Sequence, residues 1–140
     1  MPRFLTYTFS RPFFGLNIPI PVQSVYLRDY AAKNKLDFTL PTTEICFGNS
    51  YYSLSNIFRA LKNDEHFGAV SIMVLPLDNN EEFNNVINLI DGKSIILHFP
   101  LEGFRGGSAE VRAWRVEFNL MRSFQRSDNE PTNLILENRL

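Results

Sequence analysis

The sequence predicts an α/β domain: a three-layer α/β/α arrangement on a mainly parallel sheet of four to five strands, with probable strand order 2-1-3-4. Three observations lead there. Short apolar or alternating segments recur at Leu5–Pro12, Leu36–Leu40, Ala69–Val74 and Ser94–Phe99. Segments with apolar residues at helical spacing lie between them. Polar or ionisable residues, often beside a proline, follow or interrupt each strand-like segment. Strands alternating with helical stripes call for parallel pairing, right-handed crossovers and helices on both faces.

The first strand stops at Ser10-Arg11 and Pro12. Phe13–Pro21 carries Gly15, Pro19 and Pro21, which forbid a regular helix or inner strand, so it reads as an ordered loop over the strand's end. A helix opens at Pro21 or Val22 and runs to about Asn34, with Val22, Val25, Tyr26 and Tyr30 as its core face. Leu36–Leu40 is a short strand halted by Pro41, and Thr42–Ser50 is a loop. The next helix covers about Tyr52–Lys62. Ser53 serves as its cap, and Leu54, Ile57, Phe58 and Leu61 fall at i, i+3, i+4 and i+7.

Gly68–Leu75 is almost entirely apolar and reads as a strand buried on both faces, stopped by Pro76. Asn79 or Asn80 caps a helix with Glu81 and Glu82 in its first turn and a Phe83, Val86, Ile87, Ile90 stripe, ended by Asp91-Gly92. Ser94–Phe99 is the fourth strand. A glycine-bearing loop follows, and Ser108 starts a last helix to about Ser123 with Val111, Trp114, Phe118 and Met121 on one face. Residues 1–124 are expected to form one domain. The polar tail 125–140, with its Leu134-Ile135-Leu136 island, is docked or partly disordered.

Composition narrows the function. At 140 residues the chain holds one core, and 44% hydrophobic with 21% charged residues is ordinary for a soluble protein. A formal net charge of −1 argues against a dedicated nucleic-acid binder. A single cysteine, Cys46, excludes an internal disulfide framework. No apolar run is long enough for a membrane span, and the N-terminus does not read as a secretory signal, so a cytoplasmic location is expected. No nucleotide-binding glycine motif, phosphate loop or nucleophile elbow is present, and no cofactor is called for.

In an open parallel sheet, ligands bind outside the carboxyl ends of the strands, where connections diverge. With order 2-1-3-4 that point lies between strands one and three. It gathers Ser10 and Arg11, Thr43 and Glu44, Ser71, and His98 with Glu102. Each residue has two readings. Ser10 holds loop backbone, or positions a substrate hydroxyl or acts as nucleophile. Arg11 is a surface charge or a bidentate anion anchor. Ser71 is a satisfied core serine or a ligand contact. His98 interrupts an apolar strand, either as a hydrogen-bonded core residue or as an acid–base group oriented by Glu102 or Glu44. Tyr51-Tyr52 either fills core or stacks on a sugar or base ring.

Two resemblances follow. Tyr7 to Ser10 with Gln23–Asn34 resembles the start of the serine recombinase catalytic domain, a strand ending in serine and then a glutamine-led helix. Leu75-Pro76-Leu77-Asp78 stands where that family has its arginine pair, so the likeness concerns fold rather than activity. Ser10-Arg11-Pro12, Gln23, Leu27-Arg28-Asp29-Tyr30, Thr43-Glu44, Tyr51–Leu54, Ser71 with Leu75-Pro76, Leu97-His98-Phe99 with Glu102, and Trp114 together resemble the sporadic carbohydrate cluster proteins, over about Tyr7 to Trp114. The chain departs from that pattern at Pro100 and Gly103–Gly107. The resemblance implies work on an unusual sugar of a bacterial surface polysaccharide. His98, Glu102, Glu44 and Ser10 would then be catalytic, and Arg11, Arg28, Gln23, Ser71 and Tyr52 would bind an anionic sugar or sugar nucleotide. The alternative is a non-catalytic accessory protein, with Phe13 and Phe14 in its interface. Trp114, Leu120 and the tail offer apolar surface for a homodimer.

Overall fold

Strand β1 (Arg3–Phe9) is the axis of the sheet, because it is paired along both edges. The computed structural model describes residues 1–10, 17–44 and 51–129, with side chains through Ser123. Arg11, Pro12, the Phe13-Phe14 pair, Cys46 and the segment from residue 130 onward lie outside the described residues. Among those described, the fold is mixed α/β: four α-helices and a six-stranded, mostly parallel sheet ordered β2-β1-β4-β5-β6, with β3 also on β1.

On one edge of β1, β2 (Asp37–Phe38) pairs with Arg3 and Phe4, and β3 (Thr42–Glu44) pairs with Tyr7–Phe9. Of the expected strand Leu36–Leu40 only Asp37–Phe38 pairs as strand, and the pairing on β1 resumes beyond Pro41 as β3. Pro41 lacks the N–H that continuous pairing needs, and Thr39 spans the gap: its N–H and hydroxyl both reach Phe4 O, at 3.1 and 2.8 Å. The expected loop beginning at Thr42 is strand as far as Glu44.

On the other edge lies β4, which is His66–Gly68 rather than Ala69–Val74. Ile72–Val74 turns instead as a 3₁₀ helix, capped by Ser71 Oγ accepting from Met73 N at 3.1 Å. The apolar run reports burial and leaves conformation open. Strand β5 (Ile96–Phe99) pairs parallel with β4. After a 3₁₀ turn at Pro100–Glu102 and Gly103 at φ +64°, β6 (Phe104–Gly106) returns antiparallel on β5, where the sequence suggests only a loop.

Helices α2 (Tyr52–Ala60) and α3 (Asn80–Ile87) bury the expected stripes, Leu54, Ile57, Phe58 and then Phe83, Val86, Ile87. Asn79 caps α3 by accepting from Glu82 N at 3.0 Å. Helix α1 (Ile20–Lys33) is turned the other way from expectation. It buries Gln23, Leu27 and Ala31, and leaves Val22, Val25 and Tyr26 53%, 47% and 41% exposed. Two helical stripes compete in α1, and the one containing Gln23 goes inward because that amide satisfies backbone at the end of β1. Lys93, just before β5, donates to the carbonyls of Phe58, Arg59 and Leu61 at 2.9–3.1 Å and so caps the C-terminus of α2.

Residues Met1–Ser108 form one compact unit and Ala109–Leu140 a second. The second, as far as described, is helical from Ala109 on, within α4 (Ser108–Asn129), which runs past the expected end near Ser123. Trp114 stacks on Phe118 at 5.1 Å between ring centroids, and the Arg122 guanidinium lies 5.5 Å from the Phe118 ring centre. No described helix is long and apolar enough to cross a membrane.

Phe4 and Tyr7 point to opposite sides of the sheet by the alternation of a strand. Phe4 clusters with Leu27, Ala31, Leu36 and Val70, while Tyr7 packs near Phe67, whose ring meets Phe58 edge-on at 4.9 Å. A Cβ on Gly68 would clash with the tip of the Phe4 ring, at Cζ and Cε1. Gly68→Ala is expected to destabilise the protein by about 1–3 kcal/mol, the usual cost of overpacking a core; an unchanged denaturation midpoint would mean that the Phe4 ring moves aside freely.

Candidate functional site

The space left by Gly68 sets up the site. His98 faces Gly68 across the β4–β5 pairing, and the Phe4 ring meets the imidazole edge-on, 5.5 Å away and 85° inclined. His98 is fully buried. Its Nδ1 lies 2.8 Å from the Tyr30 hydroxyl of α1, and its Nε2 lies 2.7 Å from His66 Nδ1 on β4. The two ring planes lie within 20° of each other with centroids 5.0 Å apart, so the imidazoles meet edge to edge through that bond. A neutral imidazole offers one donor and one acceptor. The Tyr30–His98–His66 chain therefore has a direction, and every link must point the same way.

Burial drives the electrostatics. It is the largest cause holding His98 down to about 4, followed by His66 and then Arg105. His66 is lowered by burial and then by Arg105. Tyr30 is raised by burial, with Arg105 pulling the other way and Tyr26 adding to the rise. Arg105 stands opposite His98 on β6 and is itself exposed. Both histidines are consequently neutral at neutral pH.

Tyr30 is half-buried, and with Tyr26, Asp29 and Lys33 it lines a surface cavity of about 290 Å³. A neighbouring depression of about 410 Å³ is lined by Pro21, Val22, Val25, Tyr26 and Asp29. The buried chain thus reaches a place a ligand can enter, next to an ammonium and a carboxylate.

The sequence-selected residues divide into separate groups. Glu44 is buried at the end of β3; it accepts from Tyr7 Oη at 2.8 Å and from the N–H groups of Ser53 and Leu54 at 2.9 and 3.3 Å. A carboxylate there satisfies the opening turn of α2 and its positive dipole end, in place of the expected Ser53 cap. Ser10 is exposed, and its N–H and Oγ both point to Glu44 O, at 3.4 and 3.3 Å. Glu102 accepts from Ser71 Oγ at 2.6 Å and from Ile72 N at 2.8 Å. Neither carboxylate is a hydrogen-bond partner of His98, whose two nitrogens meet Tyr30 and His66. Gln23 spends its amide on backbone: Nε2 donates to Phe9 O and Ile18 O, both at 2.8 Å, and Oε1 accepts from Phe9 N at 3.1 Å. Arg28 is exposed on α1. Tyr52 is exposed and lines a different cavity of about 290 Å³ with Tyr51, Arg59 and Glu82. Arg11 lies outside the described residues.

Sequence reasoning missed His66, Arg105 and Lys33, and it placed Tyr30 on a core face and among the residues of the family resemblance without a role in the site. The signal for His66 was its place two residues before Gly68, on the same face of a strand begun earlier than the apolar run. Among the described residues, no group of three or more His, Cys, Asp or Glu side chains could hold a metal ion. No protein-family model and no curated protein matches the chain.

The depressed His98 value gives stability a pH dependence. The unfolded chain takes up a proton near the ordinary 6.5, and the folded one only near 4. Stability should therefore be full above about 6.5 and fall between 6.5 and 4, by up to about 3 kcal/mol. Denaturant midpoints across that window should fall less steeply in His98→Gln; parallel curves would refute the assignment. Glu44→Gln should cost about 1–3 kcal/mol through the weakened α2 cap and Tyr7 bond, read from the same titrations, and no loss would show that neighbouring groups replace it.

Proposed function

We propose that the chain is a small enzyme of bacterial surface-polysaccharide or unusual-sugar biosynthesis, acting on a sugar nucleotide or phosphorylated sugar by acid–base chemistry. One observation carries the reading: fully buried His98 is linked through Tyr30 to a cavity that also presents Lys33 and Asp29. A neutral imidazole has one nitrogen free to accept a proton and another that can give one up, and a tyrosine hydroxyl bound to it is a group through which protons pass. Lys33 supplies a charge for a phosphate, with exposed Arg28 on the same helix as a second cation. The likeness to sporadic carbohydrate cluster proteins supplies the sugar class. In this reading the protein is cytoplasmic, helices cover both faces of the sheet, the four strands expected from the sequence lie in the order 2-1-3-4, and apolar positions on α4 serve a homodimer.

A second reading has its own support. Val22, Val25 and Tyr26 expose an apolar face on α1 beside the depression of about 410 Å³, which suits an accessory protein that docks a partner of the same pathway.

Thermal stability should separate them. A sugar phosphate or sugar nucleotide at about a hundred times its dissociation constant should add about 2.7 kcal/mol, a rise of several degrees. The rise should be lost in Lys33→Glu and reduced in Tyr30→Phe. Absence of stabilisation by any such ligand, or equal stabilisation of both variants, would overturn the enzyme reading.

A further inference from the structure

We infer that Tyr30, His98 and His66 form a proton relay that carries protons between the cavity beside α1 and water at His66. The inference rests on the proposed function only in making that cavity the substrate's place. The inner links are 2.8 and 2.7 Å long and join four polar atoms in line: Tyr30 Oη, His98 Nδ1, His98 Nε2 and His66 Nδ1. The two ends differ. Tyr30 opens on the cavity. His66 is buried but keeps 7% of its surface accessible, and its Nε2 has no protein hydrogen-bond partner among the described residues, so the relay assigns its exit to water to this nitrogen.

The transfer balances without any charged intermediate on the protein. A substrate proton bonds to Tyr30 Oη while the hydroxyl's own proton leaves for His98 Nδ1. The His98 Nε2–H bond breaks as its proton bonds to His66 Nδ1, and the proton on His66 Nε2 goes to water. One proton enters, one leaves, and both imidazoles end neutral in the opposite tautomer. Protonating the substrate runs the steps backwards and restores the starting tautomers. A relay that never makes an imidazolium suits this site, since burial and Arg105 both oppose one. A chain that only satisfies buried polar groups would have the same static geometry. Its movement of protons is the distinction.

Imidazole ¹⁵N–¹H spectroscopy of the histidine-labelled protein reads that movement without a substrate. In the wild type, His98 and His66 should carry the same tautomer, as a one-way chain demands, and the buried His98 N–H should exchange readily with water. Tyr30→Phe and His66→Asn, each cutting one end, should slow that exchange severalfold while melting stays cooperative. Opposite tautomers in the wild type overturn the relay, as does exchange that is unchanged or faster in either folded variant, since loosened packing can only speed it. If the exchange slows as expected and no sugar ligand binds, the relay stands and the proposed function falls. If sugar ligands bind and exchange is unaffected by the variants, the reverse holds.

Discussion

The Phe4 ring seated against Gly68 is the contact on which the rest of the structure depends. The ring lies over β4 at Gly68, where no side chain competes for that volume. It forms the floor on which Leu27 and Ala31 of α1 pack. It also presents an aromatic edge-on neighbour to the His98 imidazole, which fixes the ring plane in which both nitrogens find partners. One residue without a side chain thus creates both the core on that side of the sheet and the polar chain threaded through it.

Polar residues near the strand ends serve mostly as fasteners. Glu44 opens α2 and Lys93 closes it; Glu102 and Ser71 hold the 3₁₀ turn after β4. Gln23 ties α1 and the segment before it to the last residue of β1. These bonds pair buried backbone groups that would otherwise cost about 1–3 kcal/mol each. A rule that collects polar residues at carboxyl ends collects such fasteners along with any catalytic group, because both use the same side chains there.

Legibility in the sequence followed the range of the interaction. The stripes of α2 and α3 were plain, because one face of each is apolar and the other is not. The orientation of α1 was hidden, since both of its faces carry apolar residues and a buried glutamine decided between them. β6 was hidden by its glycines, and β4 by an apolar run that proved to be a 3₁₀ turn. In the candidate site, His98 was legible as a polar interruption of an apolar strand. Its partners were not, for Tyr30 is 68 residues away and His66 is 32. Only the β4–β5 register and the turn of α1 bring them together.

Gln23 and Tyr30 stand seven residues apart on α1, two helical turns, or roughly 10 Å along its axis. The helix therefore works as a ruler. Its zero is the backbone of Phe9, gripped at both N–H and C=O by one amide, and its far mark is the Tyr30 hydroxyl at His98. An axial slip at the Gln23 end is delivered undiminished to the other end, because a helix does not shorten. The placement of a hydroxyl deep on one side of the sheet is thus gauged from the tip of its central strand.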